Sequence, residues 1–348
     1  MYFTLRFCKS RFHFPARMTS AVARDPALVM TWTPSGTQPV DDTGAFVTPQ
    51  RFLEAFPAGA YTTMRTVGVR RVLFFPTHAD RLSETLRELD FKAAQLDTTL
   101  LAAYREQGGC KVPLQALSKS CIQTFIERYP ALYSGHNNQF NDTWTGPELK
   151  LTVLIYAEGS KLHWLCHATL LHEVISPDGV QVEVAGHPRE HAHAKNSQWV
   201  RDRHTQITKR YPDETHELVL HDDQGRLYEG TSCNFFVVDM NNEIRTAPLT
   251  HVLPGTIQLM LAKVCERESI PLRYAFPELQ EYQDWKAAFL TSTSRIVVPI
   301  RRLIWSDAVT GDEQQKDLQP DYPIVLRLQS LMHDQLRQDA TDVFSGSY

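Results

Sequence analysis

Strand-like and helix-like segments are mixed through both halves of this chain, without the regular strand and helix alternation that a doubly wound parallel sheet requires. The clearest pattern is the alternation of Leu149, Leu151, Val153 and Ile155, which puts apolar side chains on one face of a strand. Lys161 to Leu170 returns as its partner across the Glu158-Gly159-Ser160 turn. Further strands are expected at Tyr61 to Val67, Arg71 to Phe75, Val180 to Val184, His216 to His221, Thr231 to Val238, Ala287 to Thr291 and Ile296 to Ile300. Helices are expected from Pro76 and Thr77 through Leu89, from Pro113 to Tyr129, from Gly255 to Arg267, and from Pro323 onward, where Val325, Leu328, Met332 and Leu336 form the apolar stripe. This mixture reads as an α+β fold.

A chain of 348 residues is about right for two such domains, each with its own core. Residues 1–25 read as a targeting or disordered extension, 26–170 as an N-terminal α/β domain, 171–320 as a C-terminal domain and 321–348 as a terminal helix and tail. Ser176-Pro177 and Asp178-Gly179 mark the linker. Ordered structure is expected from near Thr48, and Ser134 to Gly146 is expected to be a loop.

The formal net charge of -4 gives no general attraction to nucleic acid or anionic membranes, so any anion must be held by local groups. No apolar run approaches the ~20 residues that cross a bilayer. The cysteines at 8, 110, 121, 166, 233 and 265 form no C-x-x-C pair and read as reduced, mostly buried thiols. The first 24 residues carry five basic side chains, Arg6, Lys9, Arg11, Arg17 and Arg24, and no acid, the composition of a mitochondrial or plastid transit peptide. Without that targeting the chain is expected in the cytoplasm.

Walker, G-x-G-x-x-G, G-x-S-x-G and H-E-x-x-H elements are all missing from the sequence. What remains is an ordered series of five short elements. The first is Tyr61-Thr-Thr-Met-Arg65-Thr followed by His78-Ala-Asp-Arg81-Leu82, and the second is Ala194-Lys195-Asn196-Ser197. The third is Leu227-Tyr228-Glu229-Gly230-Thr231-Ser232-Cys233-Asn234-Phe235-Phe236. Leu253-Pro254-Gly255-Thr256-Ile257 and Phe289-Leu290-Thr291-Ser292-Thr293-Ser294 complete the series.

In this order the elements resemble the class IV, or fold type IV, aminotransferases, which include branched-chain and D-amino acid aminotransferases and aminodeoxychorismate lyases. Around Lys195 the spelling Ala-Lys-x-Ser-x-Trp-Val-Arg-x-Arg is similar to a plant D-amino-acid-aminotransferase-like subgroup. The resemblance implies a two-domain fold and a homodimer, with pyridoxal 5'-phosphate between the domains and an amino acid and a 2-oxo acid as substrates. Lys195 is then the lysine that carries the cofactor as a Schiff base. Burial among cations suits it, because only a deprotonated amine is nucleophilic. Arg81 takes the phosphate, for which a guanidinium can supply two parallel hydrogen bonds. Glu229 faces the pyridine nitrogen and keeps it protonated, which maintains the cofactor as an electron sink. Thr256 and Ile257 offer backbone N–H groups at a helix start, and Thr293 offers a hydroxyl, to the phosphate. Gln258 stands where the family has an arginine, so phosphate contacts from this turn are expected to be backbone only.

In the implied reaction Lys195, once displaced by the amino acid, is general base and acid for the α-proton. The substrate candidates are Tyr61, Arg65 and Lys161. The turn that carries a carboxylate clamp of Arg and His in D-amino acid members here reads Ala157-Glu158-Gly159-Ser160-Lys161, so Arg65 or Lys161 is expected to replace it. Three alternatives stand beside this reading: a lyase of the aminodeoxychorismate type, a cofactor-binding pseudoenzyme, and a metal site built from His187, His191 and His193, the last two alternating along a strand.

Overall fold

The computed structural model describes residues 26–40, 46–89, 109–134, 144–159, 161–172, 178–206, 209–307 and 310–345. The proposed N-terminal extension, most of the 134–146 loop and the Ser176-Pro177 end of the linker lie outside these residues.

The first half builds strands β1 (Ala27–Thr33), β2 (Gly36–Pro39), β3 (Ala60–Val67), β4 (Arg71–Leu73), β5 (Leu149–Glu158) and β6 (Lys161–Leu170). Helices α1 (Pro49–Ala55), α2 (Phe75–Glu88) and α3 (Lys111–Arg128) connect them. Order therefore begins well before Thr48. In β1 Leu28, Val29 and Met30 are buried, and the strand runs antiparallel to β6 with Met30 opposite Cys166. The apolar run Ala27 to Met30, closed by the Ser35-Gly36 turn, is the strand signal that the polar stretch after it obscures. The expected strand at Arg71 to Phe75 is cut short because Phe74 adopts left-handed backbone (φ 51°), turning the chain directly into α2.

The second half contributes β7 (Val180–Val184), α4 (Gln198–Gln206), β8 (Thr215–His221), β9 (Leu227–Gly230), β10 (Asn234–Asp239), β11 (Ile244–Thr246), α5 (Thr256–Arg267), β12 (Leu272–Tyr274), β13 (Trp285–Ser292), β14 (Ile296–Ser306), β15 (Glu313–Asp317) and α6 (Pro323–Gln338). A last strand, β16 (Ala340–Asp342), returns to the first sheet beside β4. The first sheet runs β16-β4-β3-β5-β6-β1-β2. In the second, β9 pairs back onto β10, so β10, β13, β14, β7, β8 and β9 close into a ring. Every strand of this ring points a residue at one interior cluster, including Val182, Val219, Leu227, Phe235, Leu290 and Val298. The alternate residues Phe236 and Val238 pack outward against α5 and α6 through Ile257, Leu261, Leu328 and Met332.

The strand expected at Thr231 to Val238 begins only at Asn234, and a separate short strand, β9, precedes it. Asn234 pairs with Glu229 across a tight bend, closed by the Gly230 N–H donating to the Cys233 carbonyl at 2.8 Å. A Cβ on Gly230 would lie 2.4 Å from the Cys233 sulfur, so the bend requires glycine. The halves are stitched together just before α4. An isolated β-bridge joins Ala60 to Asn196, and Gly59 and Ser197 exchange N–H···O bonds of 3.0 and 2.9 Å.

A Cβ on Gly59 would sit 2.0 Å from the Ile155 carbonyl oxygen, a backbone atom that cannot yield. Gly59→Ala is expected to cost about 1–3 kcal/mol of stability by overpacking, measured by chemical denaturation. An unchanged midpoint would contradict the close approach.

Candidate active site

Where the stitched edge of the first sheet meets the mouth of the ring, the chain encloses a cavity of about 550 Å³. Lys195 enters from the stitched segment. Its carbonyl accepts from the Tyr61 N–H at 3.0 Å, and its own N–H donates to the Thr85 hydroxyl at 3.2 Å. The Nζ lies 4.7 Å from the centre of the Tyr61 ring. Burial pushes the amine below the usual lysine range, and Arg81 and Arg189 push it the same way, while the Tyr61 hydroxyl opposes them. Burial would raise the Tyr61 hydroxyl, but Lys195, Arg203 and Arg189 together hold it below the usual phenol value.

Glu229, at the end of β9, lines the same cavity and is buried. Its Oε1 accepts from Arg189 Nε at 3.0 Å and Nη2 at 2.5 Å, and its Oε2 accepts from the Leu253 N–H at 3.1 Å. Burial raises this carboxyl, and Arg189 holds the rise back. The Arg189 guanidinium also stacks 5.3 Å from the Trp199 ring. Asn234 donates to the Leu253 carbonyl at 2.9 Å, so the β9–β10 bend grips the turn that begins α5 through both its carboxylate and its amide.

That turn brings the start of α5 to the cavity wall. Thr256 and Ile257 line it as the first two residues of the helix, whose N–H groups have no partner within the helix. A Cβ on Gly255 would lie 2.1 Å from Asn234 Oδ1. Gln258 is buried and accepts from the Gly255 N–H at 3.3 Å, capping the helix rather than facing the cavity. Opposite, Thr291 and Thr293 line the wall at the end of β13. Arg81 in α2 donates to the Pro254 carbonyl at 2.6 Å, and burial lowers its pKa to about 10, which leaves it charged at neutral pH.

These groups fit pyridoxal phosphate. The buried hydroxyls of Thr256 and Thr291 make no hydrogen bond among the described residues, and together with a helix start and Arg81 they form a cup for an anion. Lys195 and Glu229 line the remainder of the same cavity.

Arg65 and Lys161 do not reach this cavity. Tyr61, Thr63 and Arg65 alternate onto one face of β3, but only the first two line the site. Arg65 lies farther along, in a second cavity where its charge acts on the Glu148 carboxylate. Lys161 is exposed at the β5–β6 turn, four register positions beyond the residue opposite Tyr61, or roughly 13 Å at strand rise. Lys150, directly across from Arg65, lines the cavity instead, as do Arg189, Arg203, Glu217 and Arg295. Of these five only Arg203 falls within a recognisable motif, as the last residue of the Ala-Lys-x-Ser-x-Trp-Val-Arg-x-Arg spelling around Lys195, and that spelling gave it no role. The histidines do not form a metal centre: His191 sits in a turn with φ 53°, so strand alternation does not align it with His193. Among the described residues no group of three or more His, Cys, Asp or Glu could hold a metal ion. The five described cysteines are unpaired and buried.

The sequence profile of the family described as amino-transferase class IV matches residues 59–303. Among curated proteins none matches. The fold is similar to that of a branched-chain aminotransferase from Thermoproteus uzoniensis solved with norvaline, at a TM-score of 0.60 and 16% identity, covering 91% of this chain and 99% of that one. It is also similar to a fold IV transaminase from Curtobacterium pusillum, at a TM-score of 0.59 and 16% identity over 88% and 99% of the two chains. A hypothetical aminotransferase from Mycobacterium tuberculosis, in its PLP-bound form, gives a TM-score of 0.57 and 17% identity over 90% and 100%. The profile spans more than half of the sequence, and it covers both the stitched edge and the ring that together build the cavity. The chain belongs to the class IV aminotransferase family.

Proposed function

We propose that the chain uses pyridoxal 5'-phosphate to move an amino group between an amino acid and a 2-oxo acid, with Lys195 as the cofactor-bearing residue. The observation that carries this reading is that one cavity is lined by a half-buried lysine with a lowered pKa, a buried carboxylate and an anion cup built of a helix start, Arg81 and threonine hydroxyls. When bound, the cofactor supplies an electron sink for the negative charge left where the substrate loses its α-proton.

The chain's own residues divide the remaining work. Arg81, the start of α5 and the hydroxyls of Thr256, Thr291 and Thr293 hold the phosphate. Glu229 presents its carboxylate to the ring nitrogen, and Arg189 keeps that carboxylate ionised and aimed. Lys195 Nζ takes the α-proton as general base, its lowered pKa leaving more of the amine unprotonated near neutral pH. Tyr61 bounds the substrate side of Lys195. A homodimer and import into a mitochondrion or plastid belong to the same proposal. The family resemblance supports the first, and the basic, acid-free first 24 residues support the second.

Mixing the cofactor-loaded protein with an amino donor and no acceptor should release one equivalent of 2-oxo acid per site and then stop, resuming when a 2-oxo acid is added. Sustained pyruvate release without acceptor would instead identify a lyase, and no release from any donor would leave a cofactor-binding protein.

Arg189→Met would leave Glu229 buried without its counter-ion, at an expected cost of about 3 kcal/mol at neutral pH. The carboxyl would then titrate higher in the folded than in the unfolded chain. The loss should therefore be complete above the folded pKa and fade as pH falls towards the unfolded value of about 4.3. Chemical denaturation of both proteins between about pH 8 and about pH 5 checks the sign; a pH-independent difference would contradict it.

A further inference from the structure

The charges of the cavity do not balance, and the imbalance has a location. Two arginines are neutralised on the spot: Arg189 by Glu229, and Arg295 by Glu217 at 2.7 Å. The second pair is tightly held. Glu217 also accepts from the hydroxyls of Thr231 at 2.5 Å and Ser232 at 2.6 Å. Against its burial, Arg295 and these hydroxyls hold its carboxyl down to about 2. Arg81 is tied to the Pro254 carbonyl beside the anion cup.

Lys150 and Arg203 remain. Among the described residues neither meets a carboxylate within ion-pair distance, and the hydrogen bond of Arg203 is a long one, 3.4 Å from Nη1 to the Thr231 carbonyl. They come from different elements, Lys150 from β5 and Arg203 from α4, and both line the cavity wall near Tyr61 and Lys195. Burial lowers Lys150 to about 8, and the cations that face it, Arg295, Arg203 and Lys195, add to the effect. Crowding two unneutralised cations into a half-buried wall is unfavourable unless an anion joins them.

We propose that Lys150 and Arg203 form the subsite for the substrate's carboxylate, an inference that rests on the aminotransferase reading of the same cavity. The subsite replaces the roles expected of Arg65 and Lys161. Its two residues are distinct from those of the anion cup, so one anion can take the cup while a second, the carboxylate of an amino or 2-oxo acid, pairs with the cations of β5 and α4. A lysine at this place also makes recognition depend on pH. Above about pH 8 Lys150 loses its proton, and the carboxylate loses one of its two partners. The two cavity carboxylates, already engaged by Arg189 and Arg295, do not compete for it.

The test uses cofactor-loaded protein and the variants Lys150→Met, Arg203→Met and Lys150→Arg. Each Met variant should raise KM for the amino donor by about 10–100-fold, the worth of a charged hydrogen bond, with kcat and cofactor affinity little changed. Lys150→Arg should restore KM and remove the rise in KM that the unmodified protein shows above about pH 8. Butanoate, which carries the carboxylate but no amino group, is titrated calorimetrically alongside. Its binding should weaken in both Met variants whether or not any amino acid is turned over, which separates failure of the subsite from failure of the transaminase reading. Unchanged KM and butanoate affinity in both Met variants would overturn the proposal. So would a loss of cofactor affinity that matches the loss in KM, because it would assign Lys150 to the phosphate.

Discussion

The carbonyl of Lys195 accepts from Tyr61, its N–H donates to Thr85, and Ser197 two residues on closes a reciprocal pair with Gly59. Tyr61 and Thr85 belong to β3 and α2 and Gly59 immediately precedes β3, while the carboxylate that shares the cavity hangs from the ring of the second sheet. The backbone bridge at Ala60 and Asn196 therefore fixes the separation of Lys195 and Glu229 across the two halves of the molecule. Without it, α4 and the lysine ahead of it would have only side-chain contacts to hold them at the cavity mouth. Trp199 and Arg203 of α4 then extend the stitch to the Thr231 carbonyl, joining the lysine segment to the β9–β10 bend.

Around that frame the cavity gathers far more positive than negative charge, in a chain whose overall formal charge is -4. Such crowding is a folding liability, and the structure contains it with two buried ion pairs that double as rivets. Arg189–Glu229 fixes the carboxylate at the end of β9, and Glu217–Arg295 ties the Thr231–Ser232 bend to the turn after β13. Buried pairs of this kind contribute little net stability beside apolar packing, and their value lies in fixing where charge sits. The uncompensated remainder is the part of the site that a substrate or cofactor anion completes.

Much of this was legible in the sequence, for reasons that differ from residue to residue. Glu229, Asn234, Gly255 and Thr293 sit on tight turns where close backbone approach restricts the residue types, so they fall into a recognisable spelling. Arg81 was legible only through the His78-Ala-Asp-Arg81-Leu82 spelling, because its place in the first turns of a helix is equally that of a surface arginine. Arg65 shows where such reasoning stops: alternation identifies its face of β3 correctly, but not how far along that face the cavity extends. Lys150, Arg189, Glu217 and Arg295 carry no local signature, and Arg203, though part of the spelling around Lys195, shows no role there, because each acquires its role only when the ring closes and α4 docks. Strand β1 was hidden by the polar segment that follows it, and the late start of β10 by the β-favouring Thr231 in the bend ahead of it. Both were settled by long-range pairing rather than by local preference.

Two lysines line one cavity, and the account depends on which of them bears the cofactor. Borohydride reduction of the protein with pyridoxal phosphate, followed by proteolysis and mass mapping, distinguishes them directly. The account predicts a phosphopyridoxyl group fixed on the peptide that contains Lys195, and no label on that peptide in Lys195→Ala. Label on Lys150, or an equal spread over exposed lysines, would contradict it.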